Sequence, residues 1–137
     1  MELIVLEGNP SVGKTNTINI VYQLLLERDY KQVINCFQDL GNNDFLDVLE
    51  KDDEKIGIVS QGDYAIGECS VEKHLEKLVM YGCKKAICAC TVGTGKSRIK
   101  KIINNYSNVI ILKTGQSIVS LQRIENNMDA NKIVYHI

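Results

Sequence analysis

The chain has 137 residues, 45% of them hydrophobic and 24% charged, with a formal net charge of −1. That length fits a single domain, residues 1–137, able to bury roughly two-thirds of its unfolded surface. The near-neutral charge does not point to nucleic acid as a partner, and no apolar run approaches the ~20 residues of a membrane span.

Short apolar runs alternate with longer segments of helical spacing. "ELIVLE" reads as a buried first strand. From Thr15 to Tyr30, the residues Ile18, Val21, Tyr22 and Leu25 recur at the spacing of one helix face. "QVINCF" reads as a second strand, "DFLDVLEK" as a short helix opened by Asp44, and "KIGIVS" as a third strand. Ser70 is a candidate cap for a helix through "VEKHLEKLVMY", with Gly82 suited to its C′ position. "KAICAC" follows as a fourth strand, residues 97–106 as a basic helix, and "NVIILK" as a fifth strand. Ser117 is the candidate cap of a helix through "IVSLQRIENN", and "KIVYHI" closes the chain as a sixth strand. Strands alternating with helices predict an α/β fold. The expected form is a three-layer α/β/α sandwich around a mainly parallel sheet of five or six strands.

The five cysteines, Cys36, Cys69, Cys83, Cys88 and Cys90, are an odd count in a chain able to build an ordinary core. A disulfide framework is therefore not expected. The opening "MELIVLEG" lacks the basic start and cleavage site of a signal peptide, so a reducing, cytoplasmic setting is expected. Cys88 and Cys90 occupy alternate positions of one strand and read as small core residues. His74 and His136 have no partner in sequence and read as structural.

The first strand runs into "GNPSVGKT", with Gly8, four residues, then Gly13, Lys14 and Thr15. Each position answers a physical need. The glycines permit a tightly turned backbone whose N–H groups converge on one anion. A helix starting at Lys14 adds its positive N-terminal end. Lys14 is suited to the β- and γ-phosphates of a nucleotide, and the Thr15 hydroxyl to Mg²⁺. Residues Gly8, Asn9, Pro10, Ser11, Val12, Gly13, Lys14, Thr15 and Asn16 form the expected nucleotide site. The stretch matches the full P-loop pattern and resembles the P-loop NTPase superfamily, which implies Mg²⁺ and ATP, or another NTP, as ligands.

"LIVLEGNPSVGKT" also resembles the opening of deoxynucleoside and thymidylate kinases. Those kinases usually carry an Asp-Arg pair after the third strand. Here that place reads "SQGDY", without arginine, and the chain is shorter than such kinases. The resemblance implies a kinase-like site and does not carry a substrate across.

P-loop enzymes normally hold Mg²⁺ with a second, acidic element at a strand end. After "IGIV" comes Ser60 rather than aspartate. Asp63 is the nearby candidate, as a metal-side carboxylate or as a base. It also fits a turn after Gly62. Asp39, after "INCFQ", is the candidate for holding an acceptor or acting as base, because ligands in open α/β sheets gather outside the carboxyl ends of strands. Its alternative is a solvated loop residue. Glu7 is expected to be structural.

"TVGTGKSR", residues 91–98, is a second glycine-rich stretch that lacks the first P-loop glycine. A lid carrying Arg98 is one reading, and a turn before a solvated basic helix is the other. Arg28 suits a helix C-terminus and Arg123 a solvated face. The late strand continues into "LKTGQ" and carries no N-K-x-D, so guanine specificity is not supported. The function expected first is a small phosphotransferase with Lys14, Asp63, Asp39 and Arg98 in catalytic roles. An ATPase or nucleotide switch is the alternative, as is a binding domain with little catalysis. The expected partners are a nucleotide and either a small-molecule acceptor or a protein.

Overall fold

The computed structural model describes residues 1–115 and 119–137. Ser117, the candidate cap of the last helix, lies outside the described residues. In chain order the elements are β1 (Glu2–Gly8), α1 (Lys14–Glu27), β2 (Lys31–Gln32), β3 (Gln38–Gly41), β4 (Asp44–Lys51), β5 (Glu54–Val59), α2 (Val71–Met80), β6 (Lys85–Thr91), α3 (Ser97–Ile103), β7 (Ser107–Leu112) and α4 (Val119–Tyr135). Among the described residues no helix is long and apolar enough to cross a membrane.

The expected mainly parallel sandwich is overturned by the sheet. Its order is β2-β4-β5-β6-β1-β7, with β3 also on the outer edge of β4, seven strands among the described residues. Only β5, β6, β1 and β7 pair in parallel with one another among the described residues. Strand β4 is antiparallel to β2, β3 and β5, so the sheet is mixed.

Two tight turns cause this. Asn42 and Asn43 have φ of 51° and 67°, and Asp52 and Asp53 have φ of 53° and 63°. Asn and Asp tolerate the left-handed region better than other residues with a Cβ. Pairs of them in that region form the two-residue turns whose twist suits a hairpin. They close Gly41 onto Asp44 and Lys51 onto Glu54.

The segment "DFLDVLEK", expected as a helix opened by Asp44, is therefore an eight-residue strand. "QVINCF" is not one strand either; β2 ends at Gln32 and β3 begins at Gln38. At the other end of the chain, "KIVYHI" does not form a sixth strand. Helix α4 continues to Tyr135. Ala130, Ile133 and Val134 recur at helical spacing and enter the core that holds α1.

The remaining elements follow their local signals. Ser70 caps α2, its hydroxyl accepting from Lys73 N at 3.2 Å, and Gly82 beyond the helix has φ 83°. Helices flank both faces of the sheet. On one face α1 and α4 cover Ile4, Leu6, Phe45, Leu49, Ile58 and Ile87. On the other, Val71, Leu75 and Leu78 of α2 and Ile99 and Ile103 of α3 pack with Leu3, Val5, Leu46, Val48, Cys88 and Cys90. The four parallel strands all end at one edge of the sheet, at Gly8, Val59, Thr91 and Leu112. Because β4 runs the other way, its first residue, Asp44, reaches that same edge.

Candidate functional site

The edge where β1 ends is shaped by the loop at residues 8–15. Ser11 and Gly13 have φ of 61° and 94°, so the backbone there turns through left-handed conformations. Gly13 immediately precedes α1, and no side chain caps that helix start. Its first-turn N–H groups and the positive end of its dipole are therefore open to an anion. A Cβ on Gly13 would come within 2.8 Å of Asn126 Oδ1, so glycine is required there by both conformation and space. Gly8 is required by space, since a Cβ would lie 2.9 Å from Lys113 Cβ.

Lys14 is folded back over the loop. Its ammonium donates to Asn9 O at 2.7 Å and to Gly8 O at 3.1 Å. Burial lowers its pKa below the ordinary lysine value, while the negative charges of Asp63 and Asp44 work in the opposite direction. Beside it opens a cleft of about 480 Å³ lined by Pro10, Ser11, Gly13, Thr15, Asn16, Ser60, Gly62, Asp63 and Gln122 as well as Lys14. Of the loop residues expected at a nucleotide site, Pro10, Ser11, Gly13, Lys14, Thr15 and Asn16 line one concave space, with Asp63 in its wall, while Gly8, Asn9 and Val12 do not line it.

Asp63 is held from β6, where the Thr91 hydroxyl donates to its Oδ1 at 2.6 Å. The adjacent backbone continues the sheet, Thr91 N donating to Gly62 O at 3.0 Å. Gly62 is a close-approach glycine: a Cβ there would lie 2.1 Å from the Ala89 carbonyl oxygen. Gly62→Ala is expected to cost about 3 kcal/mol, the upper end for overpacking, because a backbone atom cannot rotate aside. A denaturant midpoint equal to wild type would refute that reading of the glycine.

The second glycine-rich stretch contributes a different cation from the one expected. Arg98 is exposed on the first turn of α3 and does not line the cleft. Lys96 does not line the cleft either, but it braces Asp63 in the cleft wall. Its ammonium donates to Asp63 O at 2.7 Å and lies 5.7 Å from the centre of the Tyr64 ring. Lys100 pairs with Glu7 at 2.9 Å, which fastens α3 to β1 and gives Glu7 the structural role expected.

Asp39 is also outside this cleft. It lies on β3, at the outer antiparallel edge, and its Oδ1 accepts from Gly41 N at 2.8 Å within the turn. It lines a second cleft, of about 500 Å³, together with Asn19, Tyr22, Gln23, Phe37 and Asp44 among others.

Asp44, expected at the start of a helix, instead joins the site. Its Oδ1 accepts from Thr15 Oγ1 at 3.0 Å and from Ser60 Oγ at 2.8 Å. Ser60 is itself fixed: its hydroxyl accepts from Phe45 N at 2.9 Å and its amide donates to Phe45 O at 3.0 Å. The usable signal in the sequence is the pair of turn dipeptides, Asn42-Asn43 and Asp52-Asp53, which frame a hairpin strand.

Cys88 and Cys90 are buried in the core, as expected from their spacing. Burial pushes the Cys90 thiol up to about 11 and Cys88 higher, so both stay protonated near neutrality. His74 is buried with Nε2 2.9 Å from Gln61 Oε1, and burial lowers its pKa.

Comparison with protein-family models, with curated proteins and with solved structures finds no match to this chain.

Proposed function

We propose that the chain binds a nucleoside triphosphate, ATP first among them, with Mg²⁺ on the loop at residues 8–15, and that it is a small phosphotransferase. The observation that carries the reading is the start of α1. An uncapped helix N-terminus, a left-handed glycine and a lysine held at the rim of one cleft form a cradle for a polyphosphate.

The donor chemistry beside it fits Mg²⁺. Thr15, Ser60, Asp44 and Asp63 offer only hard oxygen atoms. Among the described residues no group of three or more His, Cys, Asp and Glu forms a metal cage. A magnesium ion shared with phosphates needs only one or two carboxylates from the protein. When bound, Mg²⁺ neutralises charge on the β- and γ-phosphate oxygens. The chain's own part is positioning. Lys14 would leave the loop carbonyls for phosphate, Thr15 would orient its hydroxyl, and Asp63, braced by Lys96, forms part of the wall. The second cleft, with Asp39 and Asp44 in its wall, supplies room for an acceptor next to the first.

One observation favours a switch as the second reading. The Thr15–Asp44 bond ties the phosphate-binding helix to the start of β4, and Tyr22 of α1 donates to Asp47 of the same strand at 2.8 Å. A nucleotide that rearranges Thr15 would therefore move the hairpin.

Thermal shift against a panel of nucleoside triphosphates tests the binding. At about 100 times Kd a ligand adds ~2.7 kcal/mol to stability. No shift with any nucleotide would refute the proposal. Single-turnover transfer from γ-labelled ATP across a panel of acceptors separates the two readings: a labelled acceptor supports the phosphotransferase, and release of free phosphate alone supports the switch.

A further inference from the structure

In this chain the strand-end position that ordinarily carries the metal-side acid is Ser60, directly after β5. We infer that the acid has moved one strand sideways, and that Asp44, at the start of the antiparallel strand β4, is the positioning carboxylate for Mg²⁺ at Thr15. The inference rests on the nucleotide-binding reading above and concerns the same site.

Three observations carry it. First, the Thr15 hydroxyl donates to Asp44, at 3.0 Å, and to no other side chain among the described residues. Second, Ser60 does not stand idle at the strand end. It donates to the same Asp44 oxygen at 2.8 Å and accepts from Phe45 N, so the residue in the usual acid's place holds the substitute acid. Third, the other Asp44 oxygen makes no hydrogen bond among the described residues, which leaves one lone-pair-bearing atom beside Thr15 for a metal or its water. The alternative carboxylate, Asp63, is committed differently. Its Oδ1 accepts from Thr91, and its bonds run to β6 and Lys96 rather than to Thr15.

The antiparallel direction of β4 is what makes this geometry available. Leu46 pairs with Val59, so two residues earlier the chain lies level with the carboxyl ends of the parallel strands. A parallel strand over the same residues would have its first residue at the opposite edge of the sheet.

Calorimetry with ATP, in Mg²⁺ and in EDTA, tests the assignment on binding alone. Wild type is expected to bind more tightly in Mg²⁺. Asp44→Asn keeps the shape and an acceptor for Thr15, and should leave affinity in EDTA within about twofold of wild type. It should lower the gain from Mg²⁺ by ~10-fold or more, the range for losing a partner that orients a metal ligand. Thr15→Val should lose the same gain, and the double variant no more than either alone, since both act on one metal. Asp63→Asn should lose less of that gain than Asp44→Asn does. Affinity in EDTA reports folding of each variant, and Mn²⁺ bound with ATP, read by electron paramagnetic resonance, gives the same comparison without Mg²⁺. A full Mg²⁺ gain in Asp44→Asn, or its loss in Asp63→Asn alone, overturns the inference. If wild type binds ATP equally well with and without Mg²⁺, the inference fails and the nucleotide reading stands. If wild type binds no nucleotide, both fall.

Discussion

Lys14→Ala is expected to abolish nucleotide binding while leaving the protein folded. The lysine is buried at the rim of the cleft, where it spends its hydrogen bonds on two loop carbonyls. Gly8 O keeps its bond from Val92 N once the side chain is gone, so the folded state is expected to lose little. Phosphate loses its one cationic partner on the loop. A hydrogen bond to a charged group contributes about 1.5–3 kcal/mol, and Lys14 would make such contacts to two phosphates. Kd for ATP should rise by about 100-fold or more, with the melting temperature within a few degrees of wild type. Wild-type affinity in the variant would remove the basis for the proposed function. The lowered pKa of Lys14 adds a pH signature. With rising pH, its charge is lost below the range in which an exposed lysine titrates, and ATP affinity of wild type should decline there first.

Asp129→Ala is expected to be a severely destabilising change. Asp129 is fully buried in α4 and pairs with Lys113 at 3.0 Å, whose side chain is also almost completely buried. It further accepts from Thr114 N at 2.9 Å and from Thr114 Oγ1 at 3.1 Å. Removing the carboxylate leaves the Lys113 ammonium with Thr114 O at 2.6 Å and frees the two Thr114 donors, which costs about 3 kcal/mol, the low end for breaking a buried pair. The melting temperature should fall by roughly 10 °C or more. The effect should reach the loop at residues 8–15, because Lys113 Cβ lies against Gly8. A variant melting within ~2 °C of wild type would show that the pair carries no net stability.

The pair also sets an acid limit. Burial would raise the Asp129 carboxyl, but Lys113 and Thr114 outweigh it and hold the pKa below the ordinary 3.8. A depressed carboxylate pKa means stabilisation that is complete above the unfolded value and lost as pH falls through the folded one. Below pH ~4 wild type should therefore lose this contribution, and Asp129→Asn should lack that part of the acid transition.

Much of the candidate site is legible in the sequence. The loop from Gly8 to Thr15 is a local feature: a strand, a glycine-turned backbone and a helix start follow one another within a few residues. The structure adds why two of its glycines are needed, Gly13 for its left-handed backbone and Gly8 for the approach of Lys113. Arg98 and Asp39 are candidates by loop position alone. Position along the chain does not say that Lys96, two residues before Arg98, is the cation that bonds to Asp63.

The sequence by itself determined the elements whose signals are local. Ser70 and Gly82 bound α2 because capping and left-handed geometry act within one turn. The apolar runs of β1, β5, β6 and β7 read as strands because each is short and continuous. Only the tertiary structure decided residues 44–51. Phe45 and Leu49 face one core while Leu46 and Val48 face the other. That both-sided burial also satisfies the four-residue spacing of a helix, so periodicity could not separate the two. Pairing with β5 settles it, and pairing is a contact between distant surfaces that no local window contains. The same holds for residues 130–135, where packing of Ala130, Ile133 and Val134 into the core shared with α1 extends a helix through a segment rich in strand-forming residues. The direction of β4 then decided where Asp44 lies, and with it which carboxylate meets Thr15.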